Sequence, residues 1–202
     1  MKSVRFIGVL TLSALLAGCG LSSPVKMNTV RTYSLTSVTP TKLAQRSRSS
    51  RTLLVTLPIP DAGFGSNQLI YKPLPYDFRY YADHQWAAPP AQMLLPLLSQ
   101  AVRNQGYFKA VVATPFSGIT DYHLDTRLIS LAQNFLRPTS REQLVLQETL
   151  ASNATNKVIA SKQFSIYVSA PANNAYGGVV AANKAVSVLT GQVARWVIRS
   201  VG

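Results

Sequence analysis

The chain has 202 residues, of which 20 are basic and 7 acidic, and its formal net charge is +13. The single Cys excludes an internal disulfide and a cysteine-rich metal site, and the seven carboxylates leave little material for carboxylate catalysis. After the N-terminal segment described next, the remaining length suits one folded domain.

The first eighteen residues have the pattern of a lipoprotein signal peptide. Lys2 and Arg5 supply a positive start. The apolar run from Phe6 to Leu16 is shorter than the roughly 20 residues that span a bilayer, and it fits the apolar part of a signal peptide. It ends in Leu-Ala-Gly-Cys, which resembles the bacterial lipobox. We therefore predict cleavage before Cys19 and attachment of acyl chains such as palmitate to that residue, which would anchor the chain in a membrane.

Export decides which partners the positive charge favours. Without Lys2 and Arg5 the formal net charge falls from +13 to +11. An exported chain rarely meets nucleic acid, so anionic lipid head groups, lipopolysaccharide phosphate or an acidic protein are better candidates. General adhesion to a negative membrane surface is the simpler alternative. Gly20, where an Asp would favour retention at the inner membrane, favours the outer membrane and a chain that faces the periplasm.

The mature chain divides into a tether and one domain. Residues 19–28 form a short tether after the lipidated Cys, and residues 29–202 form the domain. Within the domain, residues 40–51 are rich in Ser and Arg and lack hydrophobic periodicity, which predicts a mobile basic loop.

The first half of the domain is predicted to contain four strands and a helix. The strands are residues 29–38, 51–57, 67–71 and 76–81, and the helix is residues 89–105. Two prolines suit the first turn of this helix, Pro96 should kink it, and Gly106 fits the position just after its end.

The stretch from Tyr76 to Pro90 is unusually rich in aromatic residues. Alternation along a strand would place Tyr76, Phe78 and Tyr80 on one face, packed under the helix, with Trp86 at the corner where the helix starts. The alternative is that part of the stretch forms a partner or self-association surface, because aromatic residues and Arg are enriched at such surfaces. The candidate residues for this surface are Arg79, Tyr81, His84 and Trp86.

The second half predicts four strands followed by a long helix. The strands are residues 107–113, 122–135, 142–150 and 157–169, and the helix is residues 174–200. Apolar residues alternate in the last two strands, which indicates antiparallel strands with one buried face; they are Leu144, Leu146 and Leu150, and then Val158, Phe164, Ile166 and Val168. The predicted fold is α+β, with a mixed, largely antiparallel sheet packed against two main helices.

One cluster raises the question of a metal site. Asp121, His123 and Asp125 share one face of a strand and supply oxygen and imidazole donors. The favoured alternative is a solvent-facing polar stripe that Arg127 neutralises. The sequence shows neither a nucleophile elbow nor a phosphate-binding loop, so we expect no catalytic residues, no metal and no cofactor.

The same chain resembles the ABC-type transport auxiliary lipoproteins, the group that includes the PqiC-like proteins. The resemblance lies in Tyr33-Ser34-Leu35 soon after the lipidated Cys, in Leu69-Ile70-Tyr71, in Tyr80-Tyr81 followed by Trp86 to Pro90, in Gly106-Tyr107-Phe108, and in Trp196 of the last helix. It covers most of residues 29–200. Pro96 departs from the family pattern, and residues 40–51 are more basic than expected.

The resemblance implies a function that the residues alone do not give. Such lipoproteins are non-catalytic subunits that accompany an ABC permease, an ATPase and a periplasm-spanning MCE-domain protein, and some members are ring-forming. On this view the chain docks the MCE component from the outer membrane, with homo-oligomerisation as a further expectation. The alternatives are a lipid-binding carrier that holds acyl chains itself and a general envelope-assembly lipoprotein.

Overall fold

The computed structural model describes residues 29–36 and 49–202. The predicted signal peptide (residues 1–18), the lipid attachment site Cys19, the tether up to residue 28 and most of the predicted basic loop (residues 40–51) lie outside the described residues.

Nine strands and two helices make up the described residues, and their pattern confirms the α+β class. The strands are β1 (Arg31–Tyr33), β2 (Thr52–Val55), β3 (Ile59–Pro60), β4 (Gln68–Lys72), β5 (Arg79–Trp86), β6 (Ala110–Ala113), β7 (Tyr122–Asn134), β8 (Arg141–Ser152) and β9 (Lys157–Ser169). The helices are α1 (Pro90–Arg103) and α2 (Ala175–Val201).

All nine strands belong to one mixed sheet that is organised around β7. One edge of β7 pairs along its length with antiparallel β8, which pairs in turn with antiparallel β9. The other edge of β7 takes three short parallel strands in succession: β2 at its start, β3 in the middle and β4 at its end. The sheet then extends from β2 to β6 and from β4 to β5 and β1. The two long pairings are antiparallel, as predicted, and so is the short pairing of β4 with β5. The other five short pairings are parallel.

The β7–β8–β9 sheet, which we call the meander, lies under α2 and forms the largest part of the core. Leu144, Leu146 and Leu150 on β8 are fully buried, which confirms the predicted alternation. Val158 is 62% exposed, so its predicted place on the buried face is wrong. The reason is a bulge near Ile159, where the register shifts between Leu150 and Ala151, because one extra residue reverses the faces that follow it.

The helix α1 packs beside α2 and against β2 and β6. It starts at Pro90, where the missing backbone donor is harmless, and it continues through Pro96. Its apolar residues at helical spacing predict one buried face, and the structure confirms this: Met93, Leu94, Leu98, Ala101 and Val102 are buried, and Leu97 is partly buried. Gly106 adopts a φ of +67°, a left-handed conformation that glycine reaches without a steric penalty, and it turns the chain toward β6.

The aromatic stretch differs from its prediction. The strand β5 begins at Arg79 rather than at Tyr76, because Tyr76 lies in a turn with a φ of +66° and is 99% exposed. Pro73 and Pro75 precede Tyr76 in this connection and cannot donate backbone hydrogen bonds to a ladder. Phe78 and Tyr80, also predicted to pack under the helix, are 46% and 44% exposed.

Candidate functional site

A row of aromatic rings runs along the side of the sheet formed by β1, β5 and β4, and we call it the aromatic edge. Neighbouring ring centroids lie 4.6–6.1 Å apart, within the range at which aromatic side chains interact favourably. In spatial order the rings are Tyr176, Tyr33, His84, Tyr81, Tyr71 and Phe135. The row therefore joins the start of α2, three strands and the turn after β7.

The row forms because β5 carries a large bulge. Gln68 of β4 pairs with Gln85, yet Ile70 pairs with Tyr80, so two steps along β4 correspond to five along β5. The extra residues break the alternation of faces. Tyr81 and His84, three positions apart, consequently lie with their rings 5.9 Å from each other.

His84 connects the row to the edge strand β1. Its ring stacks on Tyr33 with an interplanar angle of 14°, and the Tyr33 hydroxyl lies 2.9 Å from Nδ1 of His84. On the other side, Nε2 of His84 lies 3.4 Å from a carboxylate oxygen of Asp83, which is half-exposed. The imidazole thus lies between a phenol and a carboxylate at the surface of the molecule.

Tyr81 connects the row to the interior. Its hydroxyl donates to Oε1 of Gln133 at 2.9 Å, and Nε2 of Gln133 donates to the Ser140 hydroxyl at 2.8 Å. Gln133 and Ser140 are buried, so each of these bonds satisfies a group that water cannot reach. Burial, together with the charge that Tyr71 and Glu142 can carry nearby, raises the pKa of Tyr81 to about 12. The phenol is therefore a neutral donor at physiological pH.

The helix α2 packs directly against the hydrogen-bond network of Tyr81, Gln133 and Ser140. Gly178 lies so near Gln133 that a Cβ atom there would collide with the glutamine side chain, and the close approach of helix and strand depends on this glycine. Asn183 of α2 then holds the chain that follows β1: its Oδ1 accepts from the Thr36 amide at 2.8 Å, and its Nδ2 donates to the Ser34 carbonyl at 3.2 Å.

The four residues predicted for a partner surface fall into different environments. Arg79 is exposed and pairs with Asp77 at 2.9 Å. Tyr81 and His84 are partly buried within the row rather than directed outward. Trp86 is 3% exposed and belongs to the core. This burial agrees with the prediction that Trp86 packs at the corner where the helix starts. Its predicted place on a partner surface is therefore wrong. Tyr33 and Tyr176, which the sequence did not single out for a partner surface, belong to the same row of rings as Tyr81 and His84, and Tyr176 is 61% exposed.

The structure does not bring Asp121, His123 and Asp125 together as three ligands. Asp121 accepts from the amide and the hydroxyl of Thr52 at 2.7 and 2.8 Å, and these bonds lower its pKa. His123 and Asp125 approach to 3.4 Å, while Asp125 also accepts from Thr56. Within residues 29–36 and 49–202, no three His, Cys, Asp or Glu side chains are grouped as metal ligands.

The predicted neutralisation of this stripe by Arg127 is also wrong. Arg127 forms its ion pair with Asp61, in the loop after β3, instead of with Asp125. The parallel pairing of β3 with β7, which places Ile59 opposite Arg127, brings that loop within reach. Asp121 and Asp125 instead accept hydrogen bonds from Thr52 of β2 and from Thr56 just after it, and these bonds fix β2 beside β7.

Two buried carboxylates lie on the inner face of β8. Glu148 is fully buried; its Oε2 accepts from the Thr126 hydroxyl at 2.8 Å, and its Oε1 has no hydrogen-bond partner among the described residues. Burial raises its pKa to about 8, opposed by the Thr126 bond. Burial also raises the pKa of Glu142 well above its ordinary 4.5, with the Lys72 ammonium opposing. Both residues share the parity of Leu144 and Leu146, a sequence signal that could have identified them.

In the described part of the chain, neither helix combines the length and the apolar character needed to cross a bilayer.

The comparisons with known proteins agree with this architecture. Residues 33–194 match the family model described as the ABC-type transport auxiliary lipoprotein component. The chain belongs to this family. The matched segment runs from Tyr33, the last residue of β1, to the last turns of α2, so it includes all six rings of the aromatic edge. Membership places the chain among envelope lipoproteins that serve ABC-type transport.

Solved structures show the same fold at low sequence identity. Protein XCC0632 from Xanthomonas campestris, of the DUF330 family, has 20% identity and a TM-score of 0.78, with 85% of this chain and 97% of that chain covered. An uncharacterised protein has 13% identity and a TM-score of 0.65 over 84% and 99% of the two chains. The PelC dodecamer from Paraburkholderia phytofirmans has 10% identity and a TM-score of 0.42 over 75% and 96% of the chains, too distant to inform assembly. No curated protein sequence matches the chain.

Proposed function

We propose that this family member is a non-catalytic subunit of an MCE-type lipid transport system. It is held in the outer membrane through acyl chains on Cys19, faces the periplasm, and docks the MCE-domain component that works with the ABC permease and ATPase. The match to the family over residues 33–194 is the observation that supports this proposal most.

The aromatic edge supports a docking role. Tyr33, Tyr81 and His84 present ring surface that is half-buried and held by hydrogen bonds, so binding would cost little side-chain entropy. Tyr176 and Arg79 add exposed side chains of the kinds that dominate binding energy at interfaces. In addition, β5 is the one strand that pairs with β1 among the described residues, so no described strand covers the outer backbone edge of β1.

The cavity beside the aromatic edge is too small for the alternative in which the chain itself carries a lipid. The space enclosed by Tyr81, Gln133, Glu142 and Gly178 has a volume of about 10 Å³. That is about what one water molecule needs. This part of the core therefore offers no room for an acyl chain.

Affinity purification of the full-length chain from cross-linked membranes tests the proposal. We expect the MCE-domain protein, the permease and the ATPase to be recovered with it. A Cys19→Ala variant is the control for the anchor, and it should leave the outer-membrane fraction. If wild-type chain in the outer membrane brings down no MCE-domain protein, the proposed function is wrong.

A further inference from the structure

An open pocket lies at one end of the meander, on the face of the sheet away from the helices. Its volume is about 370 Å³, and it is lined by Asn134, Leu136, Arg137, Arg141 and Tyr167. Asn134 ends β7 and Arg141 begins β8 opposite it. Tyr167 stands on β9 opposite Gln143. The turn between β7 and β8 forms one wall, so the pocket is built by three neighbouring strands and their connection.

The polar groups of the pocket are mainly hydrogen-bond donors, and its two side-chain acceptor oxygens each already accept one hydrogen bond. Oδ1 of Asn134 accepts from the Leu136 amide at 2.9 Å, which leaves the Asn134 NH₂ group to donate. The Tyr167 oxygen accepts from Nε2 of Gln143 at 3.0 Å, which leaves the phenolic hydrogen to donate. Arg137 and Arg141 add two guanidinium groups, which can only donate. The pocket therefore presents mainly donors, and a ligand rich in hydrogen-bond acceptors fits it.

The two guanidinium groups are not neutralised within the described residues. The four ion pairs found there involve Asp61, Asp77, Asp83 and Asp125, none of which lines the pocket. Glu142 follows Arg141 in sequence, but its side chain is on the opposite, buried face of β8. A pocket with two positive charges that are unpaired among the described residues, and with several hydrogen-bond donors, favours an anionic ligand. The planar guanidinium groups of Arg can each bind two oxygens of a phosphate.

Apolar surface at the same end of the molecule favours a lipid as the source of that phosphate. Leu136 at the pocket is 50% exposed, and Leu74 and Tyr76 in the neighbouring β4–β5 turn are 60% and 99% exposed. The two turns are adjacent, because the Phe135 amide donates to the Lys72 carbonyl at 2.9 Å. Exposed Tyr and Leu beside Arg and Lys are typical of protein surfaces that contact the membrane interface.

The direction of the chain agrees with this placement. The strand β1 runs parallel to β5, so the chain enters it from the end of the sheet where the β4–β5 turn lies. The ten residues from Cys19 to Asn28 span at most about 35 Å when extended. An anchor at Cys19 would therefore hold the start of the domain within about 35 Å of the bilayer.

We propose that the pocket lined by Arg137, Arg141, Asn134 and Tyr167 binds the phosphate group of an anionic phospholipid head group. This inference goes beyond the transport role and does not require an MCE partner, but its placement at the membrane rests on the proposed anchor at Cys19. Leu136 then contacts the glycerol or upper acyl carbons.

The test is native mass spectrometry of the full-length, lipidated chain released from nonionic detergent. The chain is titrated with dioleoyl phosphatidylglycerol, with zwitterionic dioleoyl phosphatidylcholine, and with soluble glycerol phosphate. We expect phosphatidylglycerol to bind about tenfold or more tightly than either of the other two. The double variant Arg137→Gln/Arg141→Gln should lose at least tenfold in affinity for it, and Tyr167→Phe several-fold.

A matched control removes two exposed charges elsewhere. Lys109→Gln/Lys157→Gln has the same net charge as the arginine double variant and should bind phosphatidylglycerol within about twofold of wild type. Equal losses in both double variants would mean general charge attraction and overturn the site. Equal affinity for the two lipids would also overturn it. Glycerol phosphate that binds as tightly as phosphatidylglycerol would overturn the assignment to a lipid.

Discussion

The meander and the aromatic edge share one sheet but are built on different principles. In the meander, long antiparallel strands alternate buried leucines with polar residues, and α2 covers the buried face. At the aromatic edge, short strands meet at a bulge and the rings are half-buried in a row. The first arrangement maximises buried apolar area. The second holds polar aromatic rings at fixed positions beside solvent, which a folding core does not require and a binding surface does.

The largest effect is expected from truncating the meander. Leu146→Ala removes a fully buried side chain between β8 and α2 and should lower the free energy of unfolding by about 3–5 kcal/mol. Tyr176→Ala is the matched change at the aromatic edge, where 61% of the residue is exposed, and it should cost less than about 1 kcal/mol. Urea denaturation of both variants measures the difference. Equal losses would mean that the two regions contribute to stability in the same way.

The next effect concerns Glu148, the polar exception inside the meander. Its pKa rises from 4.5 to about 8 on folding, so between these values the folded chain keeps a proton that the unfolded chain has lost. Stability should therefore fall as the pH rises from about 5 to 8. Glu148→Gln keeps the shape without the ionisation, and at pH 8 it should be more stable than wild type by up to about 3 kcal/mol.

Denaturation midpoints at pH 5 and pH 8 check this prediction. The gap between Glu148→Gln and wild type should be small at the lower pH and large at the higher one. Glu142 also has a raised pKa, so the stability of Glu148→Gln should still fall as the pH rises, but less than that of wild type. A gap that is the same at both pH values would show that the effect of the substitution is not the loss of a titrating group.

The smallest effect separates two neighbouring tyrosines of β5, of which only Tyr81 belongs to the aromatic edge. Tyr81→Phe removes the hydroxyl that donates to Gln133 and leaves a buried acceptor unpaired, which should cost about 1–2 kcal/mol. Tyr80→Phe removes a hydroxyl that makes no hydrogen bond among the described residues, and it should be neutral within about 0.5 kcal/mol. Thermal unfolding of both variants is the measurement. If the two substitutions lower stability equally, the Tyr81–Gln133 hydrogen bond does not stabilise the fold.

The meander and the helices were predictable because their periodicity is regular. The predicted limits of β9 were right, and those of α1, α2, β7 and β8 were within about two residues of the observed ones, since burial of one face dictates the spacing of apolar residues. The bulge near Ile159 was not predictable in this way, and it moved Val158 to solvent. A bulge depends on cross-strand pairing, which local spacing does not encode.

The aromatic edge was predicted in composition but not in geometry. The sequence drew attention to Arg79, Tyr81 and His84, yet it placed Tyr76 and Tyr80 under the helix. The three-residue bulge in β5 and the contributions of Tyr33 and Tyr176 come from contacts between residues far apart in the chain. Parallel pairing of β1 with β5 brings Tyr33 to His84, and no local pattern specifies that pairing.

Site-specific photo-crosslinking in cells tests most directly whether the aromatic edge is the docking surface. A photoreactive residue is placed at Tyr176, next to Tyr33 in the row, or at Gln163, an exposed position on β9 of the meander. The account predicts an adduct with the MCE-domain protein from position 176 and none from position 163. An adduct only from position 163, or none from position 176 while the complex still co-purifies, would contradict it.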